Sequence, residues 1–154
     1  MRFPVPFFAG FRAMLAVFVL CQPVPAQELS ALARLDPGAS GLIANDEGGL
    51  ELTFDLSQPV PWRLRFLDKP PRLVLDAREI DWTGVQLLAV PNPALTLRAG
   101  SFRPGWSRLV IELAGPQAVT SAEMTTDGGR ATIRIALTPS DAQSFADEAN
   151  KPDL

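Results

Sequence analysis

The chain has 154 residues, 47% of them hydrophobic and 20% charged, with a formal net charge of −3, one Cys and no His. Without imidazole, this polypeptide alone assembles no Ser/His/Asp triad, no Cys/His dyad and no histidine-ligated zinc site. Such proportions belong to an ordinary globular chain rather than a disordered or fibrous one, and the length suits one domain.

Residues 1–26 differ in character from the rest. Arg2 and Arg12 precede an unbroken apolar run from Ala13 to Cys21, and Val24-Pro25-Ala26 places small or tolerated residues before a cleavage point. A membrane-spanning helix needs about 20 apolar residues, and Gln22 and Pro23 end this run well short of that. The segment therefore reads as an export signal cut after Ala26, with no membrane span afterwards. Cys21 follows Leu20 rather than a small residue, so it is expected to leave with the signal instead of carrying lipid. Losing Arg2 and Arg12 takes the formal net charge to about −5, a sign that disfavours nucleic acid and anionic lipid. No Cys remains to form a disulfide in an oxidising compartment.

Beyond the signal, the dominant apolar period is two. Glu28 to Leu35 is a first helical candidate without a convincing amphipathic stripe. Leu50, Leu52, Phe54 and Leu56 then alternate with Glu51, Thr53, Asp55 and Ser57; Trp62, Leu64 and Phe66 alternate with Arg63 and Arg65; and Ile133, Ile135 and Leu137 alternate with Thr132 and Arg134. This alternation predicts strands with one wet face. Leu73-Val74-Leu75 and Leu109-Val110-Ile111 are apolar on both sides, as in a strand lying between a core and a second covering. Turn residues separate these runs at 46–49, 58–61, 68–71, 103–105 and 127–129. Gly48-Gly49 and Gly128-Gly129 are expected as hairpin turns rather than phosphate loops, because no helix pattern follows either pair. After Thr138 the composition turns polar and acidic, so residues 138–154 read as a linker or tail, with Asp141 to Ala149 the second helical candidate.

Strands at intervals of about ten residues predict an all-β fold over residues 27–137, an antiparallel sandwich or barrel. Two internal echoes accompany it. Arg72-Leu73-Val74-Leu75-Asp76 resembles Arg108-Leu109-Val110-Ile111-Glu112, and Phe54 to Pro59 resembles Ile111 to Pro116. Duplication into two stacked sheets and chance recurrence of a short β motif both remain open.

Leu56-Ser57-Gln58-Pro59-Val60, then Trp62 to Phe66, then Lys69-Pro70-Pro71-Arg72-Leu73-Val74-Leu75-Asp76, and later Arg98 with Arg108 to Leu113, together resemble the AMIN domain, the noncatalytic N-terminal module of periplasmic N-acetylmuramoyl-L-alanine amidases and of type IV pilus secretins. The similarity extends over about Leu35 to Leu137, and its most specific piece is residues 70–76. It implies a β-sandwich of two small sheets, a periplasmic location, and peptidoglycan binding that concentrates an attached machine at the division septum. It also implies no cofactor in this chain, since zinc belongs to the catalytic domain of the amidases, which would lie beyond Leu154. The chain is accordingly expected to be a free-standing adapter or the N-terminal piece of a longer amidase. An adapter that pairs a sheet edge with another envelope or divisome protein is the alternative role.

Candidate ligand contacts are the outward strand residues Arg72, Arg98 and Arg108, with Arg103, Phe102 and Trp106 on the intervening loop. Guanidinium forks suit carboxylates and indoles suit sugar faces. Arg63 and Arg65 are further outward candidates, unless they pair with Glu51 and Asp55 across strands. Arg72 and Asp76 share a face, where a structural network competes with a ligand site. Trp82 is a candidate stacking surface, while Trp62, in phase with Leu64 and Phe66, is expected in the core. Glu51 with Asp55, or Asp76 with Asp81, can be read as an acid/base couple for sugar hydrolysis, but a small sandwich crowded with arginine offers such a pair little cleft. The chain is therefore expected to be noncatalytic, with no metal site.

Overall fold

A computed structural model describes residues 32–92 and 95–151. The expected export signal over residues 1–26 lies outside them. In chain order the described elements are β1 (Ala33–Arg34), β2 (Gly41–Ala44), β3 (Leu50–Leu56), β4 (Trp62–Leu67), β5 (Arg72–Arg78), β6 (Ile80–Asp81), a 3-10 turn at Val85–Leu87, β7 (Thr96–Arg103), β8 (Trp106–Glu112), β9 (Gln117–Asp127), β10 (Arg130–Pro139) and helix α1 (Ala142–Ala149). The expected all-β sandwich is present as two antiparallel four-stranded sheets, β2-β3-β10-β9 and β4-β5-β8-β7. Their inner faces share one core.

Period two decides which side chains enter that core. On β3 and β10, Leu50, Leu52, Phe54, Leu56, Ile133, Ile135 and Leu137 are buried, and on β5 and β8 so are Leu73, Leu75, Ala77, Leu109 and Ile111. Trp62 and Leu64 pack against the same core, as their phase predicts. Phe54 is fully buried and meets Trp82 edge-on, with ring centroids 6.0 Å apart at 88°. Trp82, a candidate stacking surface from sequence, is thus a core residue. It follows the short parallel pair β1–β6, which turns the chain inward, and its indole N–H donates to the buried Ser107 Oγ at 3.0 Å.

The turns follow their glycines. Gly128 and Gly129 have φ of 53° and 83°, the mirror-image geometry that lets β9 run into β10. Gly49 is required by space instead, because a Cβ there would lie 1.9 Å from the Leu137 carbonyl oxygen of β10. Asn45 secures that turn by accepting from Gly49 N at 2.7 Å and donating to Leu137 O at 3.2 Å.

Hairpins β2–β3 and β9–β10 supply one sheet, and β4–β5 and β7–β8 the other. The pairing across each sheet's middle is β3–β10 in the first and β5–β8 in the second. Matching β2-β3-β4-β5 to β7-β8-β9-β10 therefore converts one sheet's order into the other's. The echo between residues 54–59 and 111–116 fits this match, since both segments run off the ends of the central strands β3 and β8. The stronger echo does not, because its two copies are antiparallel neighbours, with Arg72 opposite Glu112 and Asp76 opposite Arg108. That similarity reflects partnership within one sheet.

Three sequence readings change. The first helical candidate begins outside the described residues, and its end is strand β1 followed by a Leu35–Leu56 bridge. Of the expected linker or tail over residues 138–154, the described part to residue 151 is packed structure: Thr138 and Pro139 finish β10, and α1 carries Phe145, only 2% exposed, against Phe66 at a 4.9 Å centroid separation. Asp141 caps this helix by accepting from Ser144 N at 2.9 Å. A single aromatic anchor holds it, which is why no stripe marked it in the sequence. Finally, Arg63 and Arg65 do not face Glu51 and Asp55, which lie in the other sheet, where Asp55 meets Arg130 and Thr132.

Candidate ligand-binding face

The residue that follows each core position on β4, β5, β7 and β8 points away from the core, and across the second sheet these residues form rows. Leu67, Arg72, Glu112 and Thr96 lie side by side, then Arg65, Val74, Val110 and Arg98, then Arg63, Asp76, Arg108 and Gly100, and at the hairpin end Arg78, Trp106 and Arg103. The outer face therefore carries seven arginines against two carboxylates. The other sheet's outer face, with Glu51, Asp55 and Glu123 against Arg134, leans acidic instead. A chain of net negative formal charge thus concentrates its positive charge on one side.

The arginines also explain the sequence of β5. Val74 and Asp76 point outward, yet both are 0% exposed. The second covering anticipated for this strand is a layer of arginine stems, whose methylenes lie over apolar surface while their heads reach water. Asp76 receives Arg108 through two bonds, Nε to Oδ1 at 2.6 Å and Nη2 to Oδ2 at 2.9 Å, and Arg63 Nη2 at 3.1 Å. Burial alone would raise its carboxyl, but the hydrogen bonds and charges of Arg108 and then Arg63 outweigh that and hold it below its ordinary value.

The six sequence-predicted contacts all lie on this face, in two groups. At the hairpin end, a register shift between Ser101 and Arg103 turns Phe102 over the face, its ring centroid 3.3 Å from the Arg108 guanidinium carbon. Arg103 stands 4.8 Å from the Trp106 ring centroid, with Arg63 and Arg78 each at 5.9 Å. Arg108 is therefore engaged within the fold, held by Asp76 and stacked by Phe102. Arg103 and Trp106 remain at the rim as a cationic and aromatic pair.

At the opposite end, Arg72, Arg98 and Glu112 line a shallow groove with Pro70, Thr96 and Val110. None of these three charged groups makes an ion pair among the described residues, although Arg72 and Glu112 are opposite in register. Arg72 instead directs Nε to the Pro70 carbonyl at 3.2 Å. In the neighbouring row, Arg65 Nε is buried without a hydrogen-bond partner. Glu112 and Thr96 were missed from sequence. The phase of Trp106, Arg108 and Val110 would have placed Glu112 on the same face.

Among the described residues, no three of His, Cys, Asp or Glu form a group able to hold a metal ion, and no helix is long and apolar enough to cross a membrane. No known family model matches the chain, and no curated protein sequence does.

Proposed function

We propose that this chain is a noncatalytic, periplasmic peptidoglycan-binding domain of the AMIN type, serving to localise a cell-wall amidase or to act as a free-standing adapter in wall remodelling and division. The observation that carries this reading is the arginine layer on one outer face, with Arg72 and Arg98 making no ion pair among the described residues at one end and the rim pair Arg103 and Trp106 at the other. Peptidoglycan offers carboxylates on lactyl groups and peptides, and sugar faces for an indole, so one polymer can engage both ends of the face.

Cosedimentation with purified sacculi tests it. The native protein is expected to pellet with sacculi and to be released by salt, which screens exposed charges. Arg98→Glu should lower retention by about tenfold or more, the weight of one charge-assisted contact, while leaving the melting temperature unchanged because Arg98 is exposed and makes no ion pair among the described residues. Unaltered retention would refute the arginine face. A second reading, strand addition to a partner protein, is favoured by β9, an eleven-residue edge strand exposed along most of its length. Loss of partner capture on placing Pro at Thr125, with sacculus binding intact, would support that role.

A further inference from the structure

The groove at the Glu112 end has a charge arrangement that a simple anion site lacks. Two guanidinium groups, Arg72 and Arg98, border a carboxylate, Glu112, over a floor containing Val110, with the Thr96 hydroxyl at one side. In register, Arg72 and Thr96 flank Glu112 directly, while Arg98 lies opposite the next outward residue, Val110. Residues adjacent or diagonal on one sheet face are within about 5–8 Å at Cβ, close enough for long side chains to converge on a small group.

Two rows away, Asp76 is fully buried and saturated by Arg108 and Arg63. Glu112 has the same strand chemistry and an arginine directly opposite, yet that arginine bonds to a backbone carbonyl instead. The sheet thus holds one cluster whose carboxylate is taken up by its own arginines and one that keeps both signs available. For a polyanion alone, Glu112 would be a repulsive element in the middle of the groove.

We propose that this groove binds an α-amino acid zwitterion, with the ammonium on Glu112 and the carboxylate on Arg98 and Arg72. It rests on the wall-binding reading and narrows it: within peptidoglycan the matching group is the free end of a diamino acid in a stem peptide, where ammonium and carboxylate share one carbon. The glycan would then cross the Arg103 and Trp106 end of the same face. The outward residues from Glu112 to Trp106 are six positions apart on β8, roughly 20 Å at about 3.3 Å per residue, so the two ends contact different parts of the polymer.

The test titrates the purified protein with meso-diaminopimelate and with two analogues, pimelate, which lacks both ammonium groups, and cadaverine, which lacks both carboxylates. Amide chemical shifts of Thr96, Arg98 and Glu112 report occupancy. Diaminopimelate should bind about tenfold more tightly than either analogue. Glu112→Gln should weaken diaminopimelate by about tenfold and tighten pimelate, an inversion that loss of fold would not produce, while Arg98→Gln should weaken both. Equal affinity for diaminopimelate and pimelate, with no effect of Glu112→Gln, would overturn the zwitterion site. If sacculus retention then still depends on Arg98, the wall-binding reading stands without it. Failure of the native protein to bind either sacculi or diaminopimelate would overturn both.

Discussion

Replacing Asp76 with Ala is expected to destabilise the protein by about 2–4 kcal/mol, below the full loss for a deeply buried pair because Arg63 remains partly in water. The carboxylate is 0% exposed, whereas the Arg63 and Arg108 side chains are 34% and 20% exposed. Its removal leaves two guanidinium groups facing each other across β5 with nothing between them. The pH dependence follows from the same contacts. Asp76 is held below its ordinary value of 3.8, so its stabilisation is fully present above that pH and is lost as pH falls through the lower folded-state value. Asp76→Asn should flatten this part of the acid limb, and thermal melts between pH 2 and 7 compare the two. An unchanged acid limb would mean that the Arg108–Asp76–Arg63 cluster contributes nothing to the fold.

Phe54→Ala should cost about 3–5 kcal/mol, the range for removing a large buried ring. Phe54 is 0% exposed, lies at the centre of β3 opposite Ile133, and supports Trp82 edge-on. The emptied volume lies between two sheets held apart by their other side chains, so it cannot collapse readily. Phe54→Leu should recover much of the loss. Urea denaturation measures both, and a cost under about 1 kcal/mol for the Ala variant would contradict the packing described.

The legible parts of the sequence were those where burial differs between faces. β3, β4 and β10 alternate apolar and polar residues and were found where expected, because one side of each meets water. β9 carried no such signal. As an edge strand exposed on most positions, its Ala118-Val119-Thr120-Ser121 run had no buried face to enforce a period. Phe145 shows the same limit for a helix, since a lone anchor leaves no stripe. The six candidate contacts were legible as members of one face, because outward arginines stand out on a strand. Their division into engaged and available groups was not legible. Arg72 and Arg108 occupy equivalent places in two nearly identical segments, and only the antiparallel register gives one of them Asp76 and leaves the other beside Glu112.

The swapped arrangement of hairpins has a kinetic consequence. Hairpins β4–β5, β7–β8 and β9–β10 join residues close in the chain and can close early, but β3 at residues 50–56 pairs with β10 at residues 131–137. Loop closure over that span must precede the contacts that reward it, which places this fold among the slow, high-contact-order folders. During synthesis, Leu52, Phe54 and Leu56 wait on an open edge until nearly the whole domain has been made. An intact chain buries that edge last, and a chain shortened before Arg130 would carry it permanently as a site for association with other unpaired strands.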